Sequence, residues 1–338
     1  MADTVMVTGG SGFIGSHLTK QLLERGDKVV NYDIRSSAGG ELEWMMTPYK
    51  PDIIYEEGGV QNWPQLFTAI KKHNVNKIAH LAAPLKVTYL NRMPKIAFDI
   101  MTTGAVNLLE TVRLMDIERF VFFSSIGVLP RVQYEPIDCN HPTVMADEGP
   151  GTAAYGAGKL SGEAFCWAYH KSYDIDFVIL RPSAAYGLGS RNPIYINQMV
   201  EGAVRGERVY YDHGRDIPRD YTHVHDIAGV AIAALNTARD RLEQRTFYVA
   251  TGQPLVTAGQ VAEIVKEKIP AADIEIEAGL SFADTLEIKF RGMLDMKPTC
   301  EQLGCEVKYA DIRNGIDQLI DQYSQYMVSI GETPARRA

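Results

Sequence analysis

Residues 7–15 read Val-Thr-Gly-Gly-Ser-Gly-Phe-Ile-Gly, and the placement of these glycines decides the fold. The stretch contains the pattern G-x-G-x-x-G, and glycine also recurs every third residue from position 9. It follows a short apolar run at 5–7 and precedes an amphipathic, helix-like run at 13–25. Glycine lets the backbone approach a pyrophosphate closely, and the amino terminus of a helix attracts that anion. The residues predicted to contact the pyrophosphate are Gly9, Gly12, Phe13, Ile14 and Gly15.

Asp33 follows the second predicted strand, 28–32, where an acidic residue can bind the ribose of a dinucleotide. A carboxylate at this point accepts hydrogen bonds from both hydroxyls of the adenosine ribose and repels a 2′-phosphate. The acid therefore favours NAD as the cofactor. Arg35 is close enough in the sequence to pair with a 2′-phosphate, so NADP stays open as an alternative at this point.

Strand-like and helix-like runs then alternate along the first half of the chain. The further strand-like runs are 52–55, 77–81, 120–123 and 175–180, and the further helix-like runs are 63–73, 94–114 and 155–173. This alternation predicts an α/β fold with a Rossmann-like, doubly wound parallel sheet. Beyond residue 186 the alternation fades, which indicates a smaller C-terminal substrate-binding lobe. We expect an NAD-binding domain over 1–182, the lobe mainly over 183–330 with some segments returning to the main domain, and a flexible tail over 331–338.

Tyr155 and Lys159 are four residues apart at the start of a predicted helix, so both lie on one face. The ammonium group can lower the pKa of the phenol, and the tyrosine then becomes a usable base. Ser125 ends an apolar strand and can hydrogen-bond a substrate oxygen as it changes between alcohol and ketone. The Tyr-x-x-x-Lys spacing alone is weak evidence. Its position after the glycine loop, the acid and the serine predicts hydride transfer at a hydroxyl carbon.

Composition excludes several other classes of protein. The 338 residues carry a net charge of -8, whereas proteins that bind nucleic acid without sequence preference rely on clustered basic residues. Four scattered cysteines are too few for a disulfide framework and favour a reducing compartment. There is no apolar run of membrane-spanning length and no secretory leader pattern. We expect a cytoplasmic protein that binds neither nucleic acid nor a membrane, and no metal site.

These features together resemble the extended short-chain dehydrogenase/reductase family, in its NAD-dependent epimerase/dehydratase branch. The motifs that carry the resemblance are residues 7–15, His80-Leu81-Ala82-Ala83, Asn107-Leu108-Leu109-Glu110, residues 120–125, Tyr155-Gly156-Ala157-Gly158-Lys159, Arg181-Pro182, Tyr186-Gly187, Arg219-Asp220-Tyr221 and His225-Asp226. They span nearly the whole chain.

The resemblance implies tightly held NAD, a C-terminal substrate lobe and a homodimer formed through the helices near 94–114 and 155–172. Beyond the loop and Asp33, it implies cofactor contacts from Leu81, Ala82, Ala83, Ser124, Tyr155 and Lys159. It also implies substrate contacts from Lys86, Ser125, Arg191 and Arg219, with the phosphates of a bound nucleotide sugar near Arg219.

The residues after Ser125 narrow the reaction. Ile126 and Gly127 provide no acid, and sugar dehydratases and decarboxylases of this family carry an acid beside the catalytic hydroxyl. The leading hypothesis is an NAD-dependent nucleotide-sugar 4-epimerase acting on a UDP-hexose or UDP-uronic acid.

Four departures from the family pattern keep alternatives open. Met101 and Ala184 stand where the family usually has Asn, Gly59 stands where it has Asp, and no arginine is evident around 280–285. The second hypothesis is an NAD-dependent dehydrogenase or reductase of a small hydroxy acid, polyol or other non-nucleotide alcohol. The third is a noncatalytic NAD-sensing protein, which would be expected to have lost Tyr155 or Lys159.

Overall fold

The computed structural model describes residues 3–37, 39–84, 87–143, 153–335 and 337. Its centre is a seven-stranded sheet in which every neighbouring pair is parallel. In spatial order the strands are β3 (Ile53–Glu57), β2 (Lys28–Asp33), β1 (Thr4–Thr8), β4 (Lys77–His80), β5 (Arg119–Phe123), β6 (Phe177–Pro182) and β11 (Thr246–Val249). The predicted Rossmann-like fold is confirmed. The strand order reverses between β1 and β4, which is the point where such sheets bind ligands at their carboxyl edge.

Helices cover both faces of the sheet and build the C-terminal lobe. They are α1 (Phe13–Glu24), α2 (Gly40–Met46), α3 (Trp63–Lys72), α4 (Val87–Arg92), α5 (Pro94–Ala97), α6 (Gly104–Leu114), α7 (Ala154–Tyr173), α8 (Ile196–Arg205), α9 (Val224–Asn236), α10 (Ala258–Lys268), α11 (Phe282–Ile288), α12 (Lys297–Leu303) and α13 (Ile312–Ser329). A π-helical segment, Phe98–Thr103, joins α5 to α6. The single helix expected at 94–114 is therefore two α-helices with a π-helical segment between them.

Both faces of the sheet are buried, which explains why its strands are apolar throughout. In β1, Val5 and Val7 pack with the apolar side chains of α1 and α9, and Met6 points to the opposite face among those of α3, α6 and α7. In β5, Phe120 and Phe122 lie on the same face of the sheet as Met6. Successive side chains of a strand alternate between faces, so a strand covered on both sides carries no polar alternation.

The C-terminal lobe packs around a separate apolar core that α8, α10 and α13 share. Its short strands pair as β7 (Ala184–Tyr186) with β10 (Tyr221–His223), β9 (Pro218–Arg219) with β12 (Val256–Thr257), and β8 (Val209–Tyr211) with β13 (Ile274–Ile276). The segment that contains α9 and β11 leaves this lobe and packs on the main sheet. In the tail, the N–H of Ala335 donates to the carbonyl of Val204 at 2.8 Å.

The chain turns from β10 into α9 at His223. The ring of His223 accepts a hydrogen bond from the N–H of His225 and so caps the helix. His225 therefore lies in the first turn of α9. None of the helices that the structure describes is long and apolar enough to cross a membrane.

Candidate active site

The glycine loop connects β1 to α1 and is packed too tightly at Gly9 and Gly15 for any larger residue. Gly9 has a φ of +72°, and a Cβ there would lie 2.8 Å from the backbone nitrogen of Ala82. A Cβ on Gly15 would lie 2.2 Å from the carbonyl oxygen of Gly9. The loop therefore brings the first turn of α1, with Phe13 and Ile14, close to the chain that leaves β4. A turn of this kind presents backbone N–H groups to an anion.

Asp33 ends β2 beside this loop. Its carboxylate accepts hydrogen bonds from the N–H of Ser11 at 3.1 Å and the N–H of Arg35 at 3.2 Å. Burial raises the pKa of the carboxyl group, and the two backbone donors act in the opposite direction. These bonds hold the acid at the carboxyl edge of the sheet, where each oxygen has a lone pair left for a ribose hydroxyl.

Tyr155, Lys159 and Ser125 come together beyond the end of β5. The nitrogen of Lys159 lies 6.0 Å from the centre of the Tyr155 ring and donates to the carbonyl of Phe123 at 2.5 Å. A hydrogen bond from the side chain of Ser125 lowers the pKa of Tyr155, but burial outweighs it and the net pKa is raised. Thus Ser125, rather than Lys159 as the spacing suggests, is the side chain that favours the phenolate in this structure.

A buried ion pair lies one turn beyond Lys159 on α7. Arg181, at the end of β6, donates to the two carboxylate oxygens of Glu163 at 2.9 and 2.6 Å. Both side chains are almost completely buried. Burial lowers the pKa of Lys159 to about 8, and the carboxylate of Glu163 opposes that change. The pair is thus part of the electrostatic surroundings of the lysine.

Met101 packs against Tyr155 from the π-helical segment. Its side chain is 2% exposed and belongs to a small cluster with Leu90 and Ala97, with Tyr155 against it. A Cβ on Gly158 would lie 2.9 Å from Cβ of Met101, so α7 approaches the segment closely because a glycine is present. π-Helical turns occur frequently at functional sites. Met101 thus gives the tyrosine an apolar neighbour where the family resemblance implies an amide.

Two arginines of the C-terminal lobe share one carboxylate. Arg219, on β9, donates to both oxygens of Glu287 at 2.8 Å, and Arg291 donates to the same carboxylate. Asp220 fixes this strand, since it accepts hydrogen bonds from Thr251 at the end of β11. The guanidinium of Arg219 is buried, not a surface charge.

The model of the NAD dependent epimerase/dehydratase family matches residues 5–250 of the chain. The chain belongs to this family. It is 28% identical to a putative UDP-glucose 4-epimerase of Methanocaldococcus jannaschii, over 94% of this chain and 97% of that protein. It is 30% identical to the UDP-glucose 4-epimerase of Pongo abelii, over 75% of this chain and 78% of that protein. The structure of the Thermotoga maritima UDP-glucose 4-epimerase with UDP-glucose superposes with a TM-score of 0.80 at 23% identity, over 96% of this chain and 99% of that chain.

Membership of the epimerase/dehydratase family makes the chain an NAD-dependent enzyme, and its residues fit that cofactor. The glycine loop is a cradle that a Cβ would fill, and the carboxylate of Asp33 lies beside it at the end of β2. The hydroxyl of Ser124, which follows β5 and precedes Ser125, is buried and has no hydrogen-bond partner in the part of the chain that the structure describes. Leu81 and Ala82 follow β4 and bond back to Thr8 at 3.1 and 3.4 Å. These groups would hold NAD across the point where the strand order reverses. Ala83 follows them along the same loop.

Two further residues, Arg191 and Lys86, are predicted to contact the substrate. Arg191 donates to Glu41 on α2 at 2.6 Å and also faces Glu201, so it lies beside the helix that follows Asp33. Its assignment to the substrate stays a prediction. Lys86 lies outside the described residues.

Sequence reasoning missed Arg291 and Glu287, the two residues that form an ion-pair cluster with Arg219. The family pattern predicts this arginine around 280–285, whereas Arg291 stands a few residues later, in the loop after α11. The pair Arg291-Gly292 was the available signal, but a single arginine in a polar segment indicates surface exposure by default. The contact between Glu287 and Arg219 depends on the tertiary structure, so no local sequence pattern predicts it.

Proposed function

We propose that this enzyme is a nucleotide-sugar 4-epimerase that acts on a UDP-hexose or UDP-uronic acid. The observation that carries the proposal is the presence of two arginines, Arg219 and Arg291, on one carboxylate in the C-terminal lobe, in addition to the Tyr155 and Ser125 hydroxyls that follow β5. Hydrogen bonds connect the two regions: Ser124 N–H donates to Leu180, and the hydroxyl of Ser183 donates to the carbonyl of Asp220. A substrate that spans both regions needs a reacting hydroxyl at one end and an anionic group at the other.

Tyr155 is the proposed general base. Its phenolate accepts the proton of the C4 hydroxyl, and Ser125 donates a hydrogen bond to the substrate oxygen as the carbonyl forms. The ammonium group of Lys159, which lies 6.0 Å from the centre of the Tyr155 ring, is assigned to the ribose of the nicotinamide. NAD, held by the glycine loop and Asp33, would supply reversible hydride transfer at C4, and a turn of the keto sugar between the two transfers would invert C4 with no net consumption of the cofactor. We assign the arginines to the diphosphate, because paired guanidinium groups suit phosphate oxygens.

The first test is a substrate screen. Purified enzyme incubated with UDP-hexoses and UDP-uronic acids should interconvert C4 epimers without net accumulation of NADH. Tyr155→Phe should lower kcat by about 10²–10⁴-fold, the usual contribution of a general acid or base, while NAD binding is retained. Tyr173→Phe, an exposed tyrosine on the same helix, is the matched control and should keep wild-type activity.

A second candidate function is an NAD-dependent dehydrogenase of a non-nucleotide hydroxy acid or polyol. Ala184 favours it, because it stands where the family resemblance implies an asparagine that contacts the sugar diphosphate. Stoichiometric NADH release with such an alcohol, together with no change in any UDP-sugar, would support this candidate and refute the epimerase. A noncatalytic NAD-sensing role would require that Tyr155→Phe leave the cellular phenotype intact.

We also propose a homodimer and a cytoplasmic location. The helices near 94–114 and 155–172 expose Phe98, Leu114 and Phe165, with 52%, 46% and 39% of each residue accessible. Exposed apolar side chains on adjacent helices are typical of a helix-packed interface. All four cysteines are free thiols, which suits a reducing compartment. Phe98→Glu should convert the dimer to a monomer in sedimentation experiments, and a wild-type monomer would refute the interface.

A further inference from the structure

Glu287 is the common partner of both arginines in the lobe. Its two oxygens lie 2.8 Å from the two terminal nitrogens of Arg219, which is the bidentate geometry that guanidinium groups form with carboxylate or phosphate. Arg291 reaches the same carboxylate from the loop after α11. The carboxylate thus lies where the proposed substrate would place an anionic group.

The carboxylate of Glu287 does not pair with every hydrogen-bonding group around the two arginines. The Nε atoms of Arg219 and Arg291 and the hydroxyl of Tyr221 are all buried and have no hydrogen-bond partner among the described residues. Two guanidinium groups face one carboxylate, so one positive charge is left over. Burial and the neighbouring Arg219 lower the pKa of Arg291, as expected where two buried cations lie close together. The excess positive charge and the unpaired donors therefore suit an anion that has more oxygens than one carboxylate.

Glu287 is also the member of the cluster that can leave. Its side chain is 34% exposed, whereas that of Arg219 is 5% exposed. It lies in the last turn of the short helix α11. Asp284, the other acid of this helix, bonds to the N–H of Ser281 and faces His213 instead of the arginines. A rotation of the Glu287 side chain would hydrate its carboxylate and free both arginines.

We propose that Glu287 is a specificity-determining residue: its carboxylate occupies the anion subsite until a multiply charged group displaces it. The inference rests on the proposed function, since it takes the diphosphate of the nucleotide sugar as the displacing group. A ligand with a single carboxylate only replaces one carboxylate by another and must compete with a tethered group at high effective concentration. A diphosphate brings more charge and enough oxygens to reach the unpaired Nε–H donors. The subsite thus discriminates by the charge of the ligand.

The direct test is the affinity for uridine diphosphate, measured by calorimetry on NAD-saturated enzyme. Glu287→Gln removes the competing charge, so it should bind UDP about tenfold or more tightly than wild type at low ionic strength. Glu301→Gln removes one charge from an exposed site on α12 and should leave the affinity unchanged. Equal affinities in wild type and Glu287→Gln would overturn the proposal.

Thermal unfolding gives a second, independent readout. Glu287→Ala leaves two buried guanidinium groups without a counter-ion, so its Tm should fall by several degrees. Acetate should restore part of that loss and UDP more of it, because each supplies the missing anion. Acetate should leave the wild-type Tm unchanged. A Tm loss that neither anion restores would mean that Glu287 has only a structural role, and the proposal would fail.

These outcomes separate the inference from the proposed function. If Glu287→Gln binds UDP more tightly but the enzyme epimerises no UDP-sugar, the role of Glu287 as a displaceable counter-ion is supported and the epimerase function is refuted. Epimerase activity with equal UDP affinities would uphold the epimerase and refute the counter-ion. UDP binding by neither protein would refute both the diphosphate subsite and the role of Glu287.

Discussion

Replacing Glu163 by glutamine removes one half of a buried ion pair and keeps the shape of the side chain. The carboxylate and Arg181 are 6% and 8% exposed and form two hydrogen bonds, at 2.9 and 2.6 Å. Breaking a buried pair by removing one partner costs about 3–5 kcal/mol, because the other charge is left without compensation. Folded domains are stable by only about 5–15 kcal/mol. We therefore expect Glu163→Gln to lose a large fraction of the stability.

The assay is urea unfolding at saturating NAD, followed by circular dichroism. The free energies of unfolding of wild type and Glu163→Gln are compared with a common dependence on urea concentration. The double variant Glu163→Gln/Arg181→Met is the informative control. It removes both charges together, so it should recover much of the stability that the single variant loses. Glu301→Gln, an exposed charge removal, should change the free energy of unfolding by less than about 0.5 kcal/mol.

The same variant should also change the pH dependence of the reaction. Burial holds the pKa of Lys159 at about 8, and the carboxylate of Glu163 raises it. Removing that carboxylate and leaving Arg181 uncompensated both lower the pKa of Lys159. The cationic form of the lysine is then lost at a lower pH, so the alkaline limb of the kcat profile should move to lower pH. A stability loss below about 1 kcal/mol together with an unmoved alkaline limb would refute the coupling.

Two further predictions concern the cofactor. Gly15→Ala places a Cβ 2.2 Å from the carbonyl oxygen of Gly9, so it should abolish NAD retention and destabilise the protein by about 1–3 kcal/mol. Gly229→Ala, where a Cβ meets nothing within 4 Å, should leave NAD binding intact, and equal NAD content in both would contradict this account. Asp33→Ser removes the charge that repels a 2′-phosphate, while Arg35 is retained. The affinity for NADP relative to NAD should therefore rise by at least about tenfold over wild type. An unchanged preference in binding competition would show that Asp33 does not decide it.

The cofactor half of the molecule was predictable because its determinants are local. A glycine with positive φ, a strand before it and a helix after it leave few alternatives for the backbone, and both β1 and α1 appear within a residue or two of their expected positions. The alternation of strands and helices then determines a parallel sheet. The π-helical segment at Phe98–Thr103 was not predictable, since an amphipathic pattern near 3.6 residues per turn cannot reveal one widened turn.

The substrate half was predictable only in part, because its chemistry depends on side chains from distant segments. Arg219 was found through a contiguous motif, whereas Arg291 and Glu287 depend on how α11 packs against β9. The short helix carries no strong periodic pattern, and its acid could equally have faced water. For the same reason, the pairing of Glu163 with Arg181 was invisible although both residues lie near recognised motifs.

This division between local and tertiary determinants indicates which measurements discriminate between substrates. Tyr155, Ser125 and Lys159 would serve an epimerase and a dehydrogenase equally well, because both remove a proton and a hydride from a hydroxyl carbon. Variants of these residues therefore test whether the enzyme is catalytic but not which alcohol it takes. Glu287 differs, since its carboxylate opposes a diphosphate and a single carboxylate to different extents. The ratio of UDP affinity between wild type and Glu287→Gln thus carries information about the substrate that no variant of the catalytic hydroxyls can supply.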